Sequence, residues 1–310
     1  MIRTITLNPA VDKTVEIDNF KVGNVNRVST QRVDAGGKGI NVSKVIKSLG
    51  GESKALGVLA GRNGQFIKSY LDSIEIDNKF VFVNGETRTN LKVIDKINGT
   101  NTDINETGTF VSEEDLRKVE LSIFEDLSQG LIVIFSGSVP QGIPKNIYGK
   151  WINKAKGLGI KTILDADGEL LKEGIEAGPY MIKPNIHELE KLFNKKLEST
   201  EAVIEAAKCL FNYGINEVVV SLGGDGALFI NKKETILAHG LNVQVKSTVG
   251  AGDSMVAALA YSMEKGYKLE ETVILSVATS AANVMTSGTQ PADINEISRL
   301  MKDVKFEYIK

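Results

Sequence analysis

Six short runs rich in Val, Ile and Leu punctuate this 310-residue chain: "TITLNP" (4–9), "SKALGVL" (53–59), "LIVIFSG" (131–137), "KTILDAD" (161–167), "YMIKPN" (180–185) and "EVVVSLG" (217–223). Near-continuous apolar runs of this length fit strands buried on both faces. Amphipathic helix patterns lie between them. In "SEEDLRKVELSIFEDL", Leu116, Val119, Ile123, Phe124 and Leu127 share one face, and Ser112 can cap the helix with Asp115 three residues on. "TEAVIEAAKCLFNYG" starts at Thr200 and stops at Gly214, a usual residue just past a helix end. Strand–helix repetition of this kind predicts an α/β fold with helices on both faces of a mostly parallel sheet, in one large domain or two modest ones. Right-handed crossovers restrict its topology. Ligands of such sheets bind at the carboxyl ends of the strands.

Two segments break the rhythm. Residues 80–105 carry Asn84-Gly85 and Asn98-Gly99, and Asn-Gly between extended runs is the strongest short hairpin signal. Residues 11–34 also read as strands and turns without a helix. Together they predict a small discontinuous antiparallel sheet, which cannot stand alone. It is either a lid over the ligand site or an edge extension. Val81 and Val83, or their alternates, would form its outer apolar face.

Bulk properties exclude several classes. Lysine and arginine number 37 against 39 acidic residues, without the basic excess of a nucleic-acid binder. The one cysteine, Cys209, leaves no internal disulfide or thiolate cluster and reads as buried filler. The start has no signal-peptide run, and no apolar stretch approaches the ~18 residues of a membrane span, so a soluble cytoplasmic protein is expected. With His187 and His239 as the only histidines, a histidine-rich metal site is nearly excluded.

Chemistry concentrates in three glycine clusters, "AGGKGIN" (35–41), "SLGGDGA" (221–227) and "VGAGDS" (249–254), none of which matches a Walker loop or a dinucleotide fingerprint. The last runs into an apolar helix whose N-terminus stabilises negative charge. Asp253 in its first turn is either an ordinary helix-start residue or a general base acting on a hydroxyl. In "KPNIHE", Asn185 and Glu188 form either a capping box or a Mg²⁺ pair.

Taken together, these residues resemble the PfkB carbohydrate kinase family, which has the ribokinase-like fold; the resemblance implies a single three-layer, doubly wound domain over residues 1–310, with the lid formed by about 11–34 and 80–105. "AGGKGINVSKVIKSLG" (35–50) and "STVGAGDSMVAAL" (247–259) are similar to its two signatures, "KPNIHE" to its Asn-x-x-Glu metal motif and "VVVSLGGDGA" to its nucleotide strand and turn. The resemblance implies Asp253 as catalytic base, with Gly250, Ala251 and Gly252 as the anion hole. It implies Mg²⁺ organised by Asn185 and Glu188, and ATP bordered by Lys183, Asn185, Ser221, Gly223, Gly226, Thr248, Gly250, Gly252 and Asn283. Sugar phosphate would meet Asp12, Arg27, Gly37, Lys38, Asn41, Arg88, Asn90, Ser136, Gly137 and Asp253. A phosphorylated sugar needs a cationic donor clamp that a plain sugar does not. "TITLNPAVD", "GETRTNLKV" and "STVGAGDSM" are most similar to members that phosphorylate fructose 1-phosphate at O6, with those acting on tagatose 6-phosphate as near neighbours; a non-catalytic sugar-phosphate sensor is a further alternative. The resemblance also implies that the small sheet is a lid, and that two lids pair in a homodimer. Two departures stand out: Asp167, where relatives carry Ser or Thr, and Ala60, where Gly is usual.

Overall fold

A computed structural model describes residues 1–127 and 129–309. The chain enters with β1 (Ile2–Thr6), β2 (Ala10–Glu16), β3 (Thr30–Gly36), α1 (Lys38–Ser48), β4 (Ser53–Ala60), α2 (Gly61–Ser73), β5 (Asp77–Val83), β6 (Arg88–Asp95) and β7 (Thr100–Asn105). It continues through α3 (Glu113–Phe124), β8 (Ile132–Ser136), α4 (Ile147–Gly157), β9 (Lys161–Asp165), α5 (Gly168–Glu176), β10 (Met181–Ile182), α6 (Ile186–Phe193), α7 (Thr200–Cys209) and β11 (Glu217–Ser221). It closes with β12 (Gly226–Asn231), β13 (Thr235–His239), α8 (Ala251–Lys265), α9 (Leu269–Val284), α10 (Ile294–Met301) and β14 (Phe306–Ile309).

The large sheet runs β14-β13-β12-β11-β10-β9-β8-β1-β4-β5. From β5 to β11 every neighbouring pair is parallel, and β12 to β14 extend that edge antiparallel. Each of the six apolar runs supplies one of its parallel strands, buried as expected. One face packs on α3 to α7 around Phe135, Tyr148, Trp151 and Leu164. The other packs on α1, α8, α9 and α10 around Ile134, Phe229 and Val256. The carboxyl ends of the parallel strands therefore open along one edge, and the N-terminus of α8 begins there. No helix among the described residues is long and apolar enough to cross a membrane.

The second sheet, β3-β2-β6-β7, departs from expectation in three ways. Its outer pairs are antiparallel, but its central pair, β2 with β6, is parallel, because the two strands come from separate excursions of the chain. Only Asn98-Gly99 makes a hairpin. Asn84-Gly85 instead links β5, an edge strand of the large sheet, to β6 in the small one. Val81 and Val83 consequently pack on the main core rather than on an outer face.

Helix boundaries follow their caps. Ser112 accepts the Asp115 N–H and starts α3, but the helix ends at Phe124, leaving Leu127 outside it and exposed. α7 starts at Thr200 as expected, capped by the Ser199 side chain, and passes through a 3₁₀ turn to Gly214. Val203, Ala207 and Leu210 form the buried stripe of that segment, so Cys209 points outward and is exposed, not buried filler.

Candidate active site

The Gly-Ala-Gly turn caps α8 with Gly250 at φ 84°, a left-handed conformation that suits glycine. Among the described residues, the N–H groups of Gly250, Gly252 and Asp253 have no acceptor, and that of Ala251 has only a 3.5 Å contact to the Thr248 carbonyl. These donors and the helix N-terminus form a concavity for anionic oxygens. Asp253 is 6% exposed. One carboxylate oxygen accepts from Asn41 Nδ2 at 2.9 Å. Burial pushes the Asp253 pKa up to about 6, against the pull of Lys38. That value suits a group that must be ionised at neutral pH yet able to take a proton.

Beside it lies a buried carboxylate between two lysines. Asp165, from the end of β9, meets Lys38 Nζ at 3.2 Å and Lys183 Nζ at 3.4 Å. Burial would raise the Asp165 pKa, but the two ammonium groups hold it below the usual carboxylate range. Burial would lower Lys38, but Asp165, Asp253 and Glu188 hold it above the ordinary lysine value. Lys183 reaches over the glycine turn, 3.4 Å from where a Cβ on Gly252 would stand. Asp165, a lone Asp at a strand end, carries no sequence motif; its neighbour Asp167 is exposed and starts α5.

The small sheet faces this cluster with its polar side. Register places Asp12 opposite both Asp34 and Asn90, so alternate residues of β2, β3 and β6 share one face. Asn90 Nδ2 donates to Asp12 Oδ1 at 3.0 Å. The other Asp12 oxygen occupies the space that a Cβ on Gly36 would need, which explains that glycine. Burial raises the Asp12 pKa, partly offset by the Asn90 bond. Arg88 is braced by the carbonyls of Glu106 (3.1 Å) and Asn8 (3.2 Å).

On the nucleotide side, Asn185 bridges Ser221 in parallel fashion, bringing "KPNIHE" and the "SLGGDGA" turn together. Asn185 and Glu188 do form a capping box, at 2.8 Å in each direction. Gly223 faces open space. Gly226 begins β12 packed against Ala238, so its place is accounted for by the sheet. Thr248 is exposed beside the turn. Asn283 donates to the Gln290 carbonyl at 3.1 Å, and its Oδ1 is 3.3 Å from where a Cβ on Gly250 would be. No cluster of three or more His, Cys, Asp or Glu side chains could hold a metal among the described residues. The donor set still fits Mg²⁺ carried by a nucleotide, which keeps several waters and needs one or two carboxylates. The capping box engages only one oxygen of Glu188.

Of the sugar-side residues, Gly37 caps α1, and Gly137 lies against the Lys38 side chain under the loop after β8. Arg27 is not brought in: it is exposed on the turn between β2 and β3, beyond Glu16, roughly 13 Å along the strand from Asp12 at ~3.3 Å per residue. Asn41 Oδ1, Arg88 Nε, Asn90 Oδ1, Ser136 Oγ and Asn283 Oδ1 are buried without a hydrogen-bond partner. Buried polar atoms are normally paired. Other unpartnered atoms, such as Trp151 Nε1 and Ser276 Oγ, lie away from these residues, but the five are free to meet a polar occupant.

Known proteins agree with that chemistry. The pfkB family carbohydrate kinase profile matches residues 5–296. A 1-phosphofructokinase of Borreliella burgdorferi is 35% identical over 310 residues, covering 100% of this chain and 99% of the relative. One from Bacillus subtilis is 36% identical over 98% of this chain and 99% of its own. Phosphofructokinase-2 from Escherichia coli, solved in complex with substrates and products, superposes with a TM-score of 0.93 at 31% identity over 97% of this chain and 98% of its own. The chain belongs to the pfkB family of carbohydrate kinases.

Proposed function

We propose that this chain transfers the γ-phosphoryl group of ATP to O6 of fructose 1-phosphate, giving fructose 1,6-bisphosphate and ADP. The carrying observation is Asp253: a buried carboxylate with its pKa raised to about 6, oriented by Asn41, in the first turn of a helix whose leading N–H groups, among the described residues, have no acceptor beyond one 3.5 Å contact from Ala251 to the Thr248 carbonyl. In this reading Asp253 takes the proton from the sugar hydroxyl as its oxygen attacks phosphorus. The N–H groups of Gly250 to Asp253, including Ala251 and Gly252, hold the transferring phosphoryl oxygens, and Lys183 and Lys38 offset their charge. Mg²⁺ would neutralise charge shared by the β- and γ-phosphates, with Glu188 and Asn185 holding it largely through water. Ser221, Gly223, Thr248 and Asn283 border the nucleotide. Asp12, Asn90, Asn41 and Ser136 take the sugar hydroxyls, with Gly37 and Gly137 shaping the wall. Arg88 takes the phosphate already present, whereas Lys38, paired with Asp165 beside Lys183, stands at the transferring phosphoryl group.

The small sheet then acts as a lid. Closure excludes water, which competes with the sugar hydroxyl for the phosphoryl group. Its polar face lies toward Asp253, and its outer face carries Val33, Lys13, Leu91 and Ile104 in one row across the strands, apolar but for Lys13. Val33 and Ile104 are exposed there, and the adjoining turn exposes Val22 (90%) and Val25 (83%). Two copies pairing through this face would cover it.

A coupled ADP-release assay over fructose 1-phosphate, fructose 6-phosphate, tagatose 6-phosphate and fructose tests the reading. Fructose 1-phosphate is expected to give the highest kcat/KM. A preference for tagatose 6-phosphate would move the assignment to that substrate. No sugar-dependent turnover at all would leave a sensor.

A further inference from the structure

Lys44 is a charged residue that the phosphoryl-transfer reading does not use. It lies in the middle of α1 and is 3% exposed. Its ammonium donates to the Ala35 carbonyl at 2.8 Å and makes a longer contact, 3.4 Å, to Thr289 Oγ1. Among the described residues no carboxylate comes within ion-pair distance of it. Burial pushes its pKa down to about 8, although Asp34, Asp12 and Asp253 pull the other way and Arg32 adds to the depression. An unpaired buried ammonium is a large desolvation penalty for a fold to carry. Packing alone would favour methionine or leucine at this place.

Its two partners belong to different halves of the site. Ala35 closes β3 at the base of the lid, next to Gly36, which makes room for Asp12. Thr289 lies in the segment between α9 and α10, whose Gln290 carbonyl accepts from both Asn283 (3.1 Å) and Thr286 (2.9 Å). Asn283 in turn stands against Gly250 of the anion turn. A second contact joins the same parts: Gly288 sits against the Arg32–Asp34 pair on β3, and a Cβ there would come within 2.8 Å of Arg32 Nη2. A continuous path therefore runs from the anion turn through Asn283, the 286–290 segment and Lys44 to the root of the lid.

We propose that Lys44 is a positioning residue that ties the base of the lid to the Thr286–Gln290 segment, so that sugar phosphate and nucleotide bind more tightly together than apart. The inference rests on the kinase reading. Coupling of this kind is reciprocal and measurable as a ratio of affinities.

The test is calorimetric titration of a non-hydrolysable ATP analogue with Mg²⁺, in the absence and presence of saturating fructose 1-phosphate. Wild type is expected to bind the analogue about tenfold tighter when the sugar phosphate is present. Lys44→Met should bring that ratio below about twofold while its melting temperature stays level or rises, since a buried charge has been replaced by a similar apolar shape. Lys44→Arg should keep most of the coupling. Thr289→Val, which removes the other end of the contact and leaves α1 intact, should also reduce it. Full coupling in Lys44→Met, or in Thr289→Val, would overturn the inference. So would a wild type that binds both ligands independently. A wild type that does not bind fructose 1-phosphate would overturn the kinase reading and this inference with it.

Discussion

The two sheets bury their faces in opposite ways. The large sheet is apolar on both sides, each covered by helices of the same chain. The small sheet has only Val15, Ile17 and Val93 as a core of its own, with Phe20 and Leu91 against it. One of its faces is polar and turned to the site; the other leaves Val33 and Ile104 exposed. A sheet built this way depends on whatever it closes upon. The rigid half can carry groups whose geometry must not move, and the marginal half can carry groups that have to open for substrate. Asp253 and the anion turn are on the first, and Asp12, Arg88 and Asn90 on the second.

The sharpest way to break that division is at Asp253. Asp253→Asn should lower kcat by ~10²–10⁴ with little change in ATP affinity, because in the proposed mechanism the lost group acts only on the hydroxyl proton. Steady-state kinetics with a separate nucleotide-binding measurement check both halves; near-wild-type turnover would remove Asp253 from the mechanism. The pH profile sharpens the same point. A base must be ionised, so log kcat/KM for the sugar phosphate should fall as pH drops through about 6, the value to which burial raises this group. In Asp253→Asn the residual rate should lose that acid limb.

On the lid, a smaller and differently shaped effect is expected. Arg88→Ala should raise KM for the sugar phosphate by ~10–100-fold, the loss of a charge-assisted contact of ~1.5–3 kcal/mol. KM for ATP should barely change. Equal damage to both constants would mean that Arg88 braces the lid through Glu106 and Asn8 without touching phosphate. Smaller again is the effect of the outer face. On the proposed pairing through the small sheet, Val33→Asp with Ile104→Asp should give a monomer in light scattering and raise ATP hydrolysis relative to sugar phosphorylation by roughly two- to fivefold, as a loosened sheet admits water. A wild type that is already monomeric at micromolar concentration and fully active would falsify the pairing. Cys209→Ser marks the low end: on the exposed side of α7 it should leave activity and stability within ~0.5 kcal/mol of wild type.

Much of the site was legible because its residues act through local backbone. Gly250, Gly252 and Asp253 are adjacent in sequence, and the helix N-terminus that gives them meaning forms from the same stretch. The Asn185–Glu188 spacing likewise announced its capping box, since a box is made within one turn. Asp165 and Lys44 were not legible. A single Asp ending an apolar strand and a single Lys inside a helix are ordinary residues until the fold encloses them, and each takes its meaning from partners far along the chain: Lys38 for Asp165, Thr289 for Lys44.

Period and punctuation therefore determined by themselves the parallel sheet, its helices, the glycine turn and the order of the motifs, because hydrophobic spacing and caps are properties of neighbouring residues. Only the tertiary structure decided how the excursions assemble. Asn84-Gly85 and Asn98-Gly99 are the same dipeptide between extended runs, yet one joins two sheets and the other turns a hairpin. The difference lies in what each flanking strand can pair with. β5 finds the open edge of β4, backed by the core at Val81 and Val83, whereas β6 finds β2. A strand's partner is set by which apolar face remains to be buried once the rest of the chain is in place, and no short stretch of sequence contains that information.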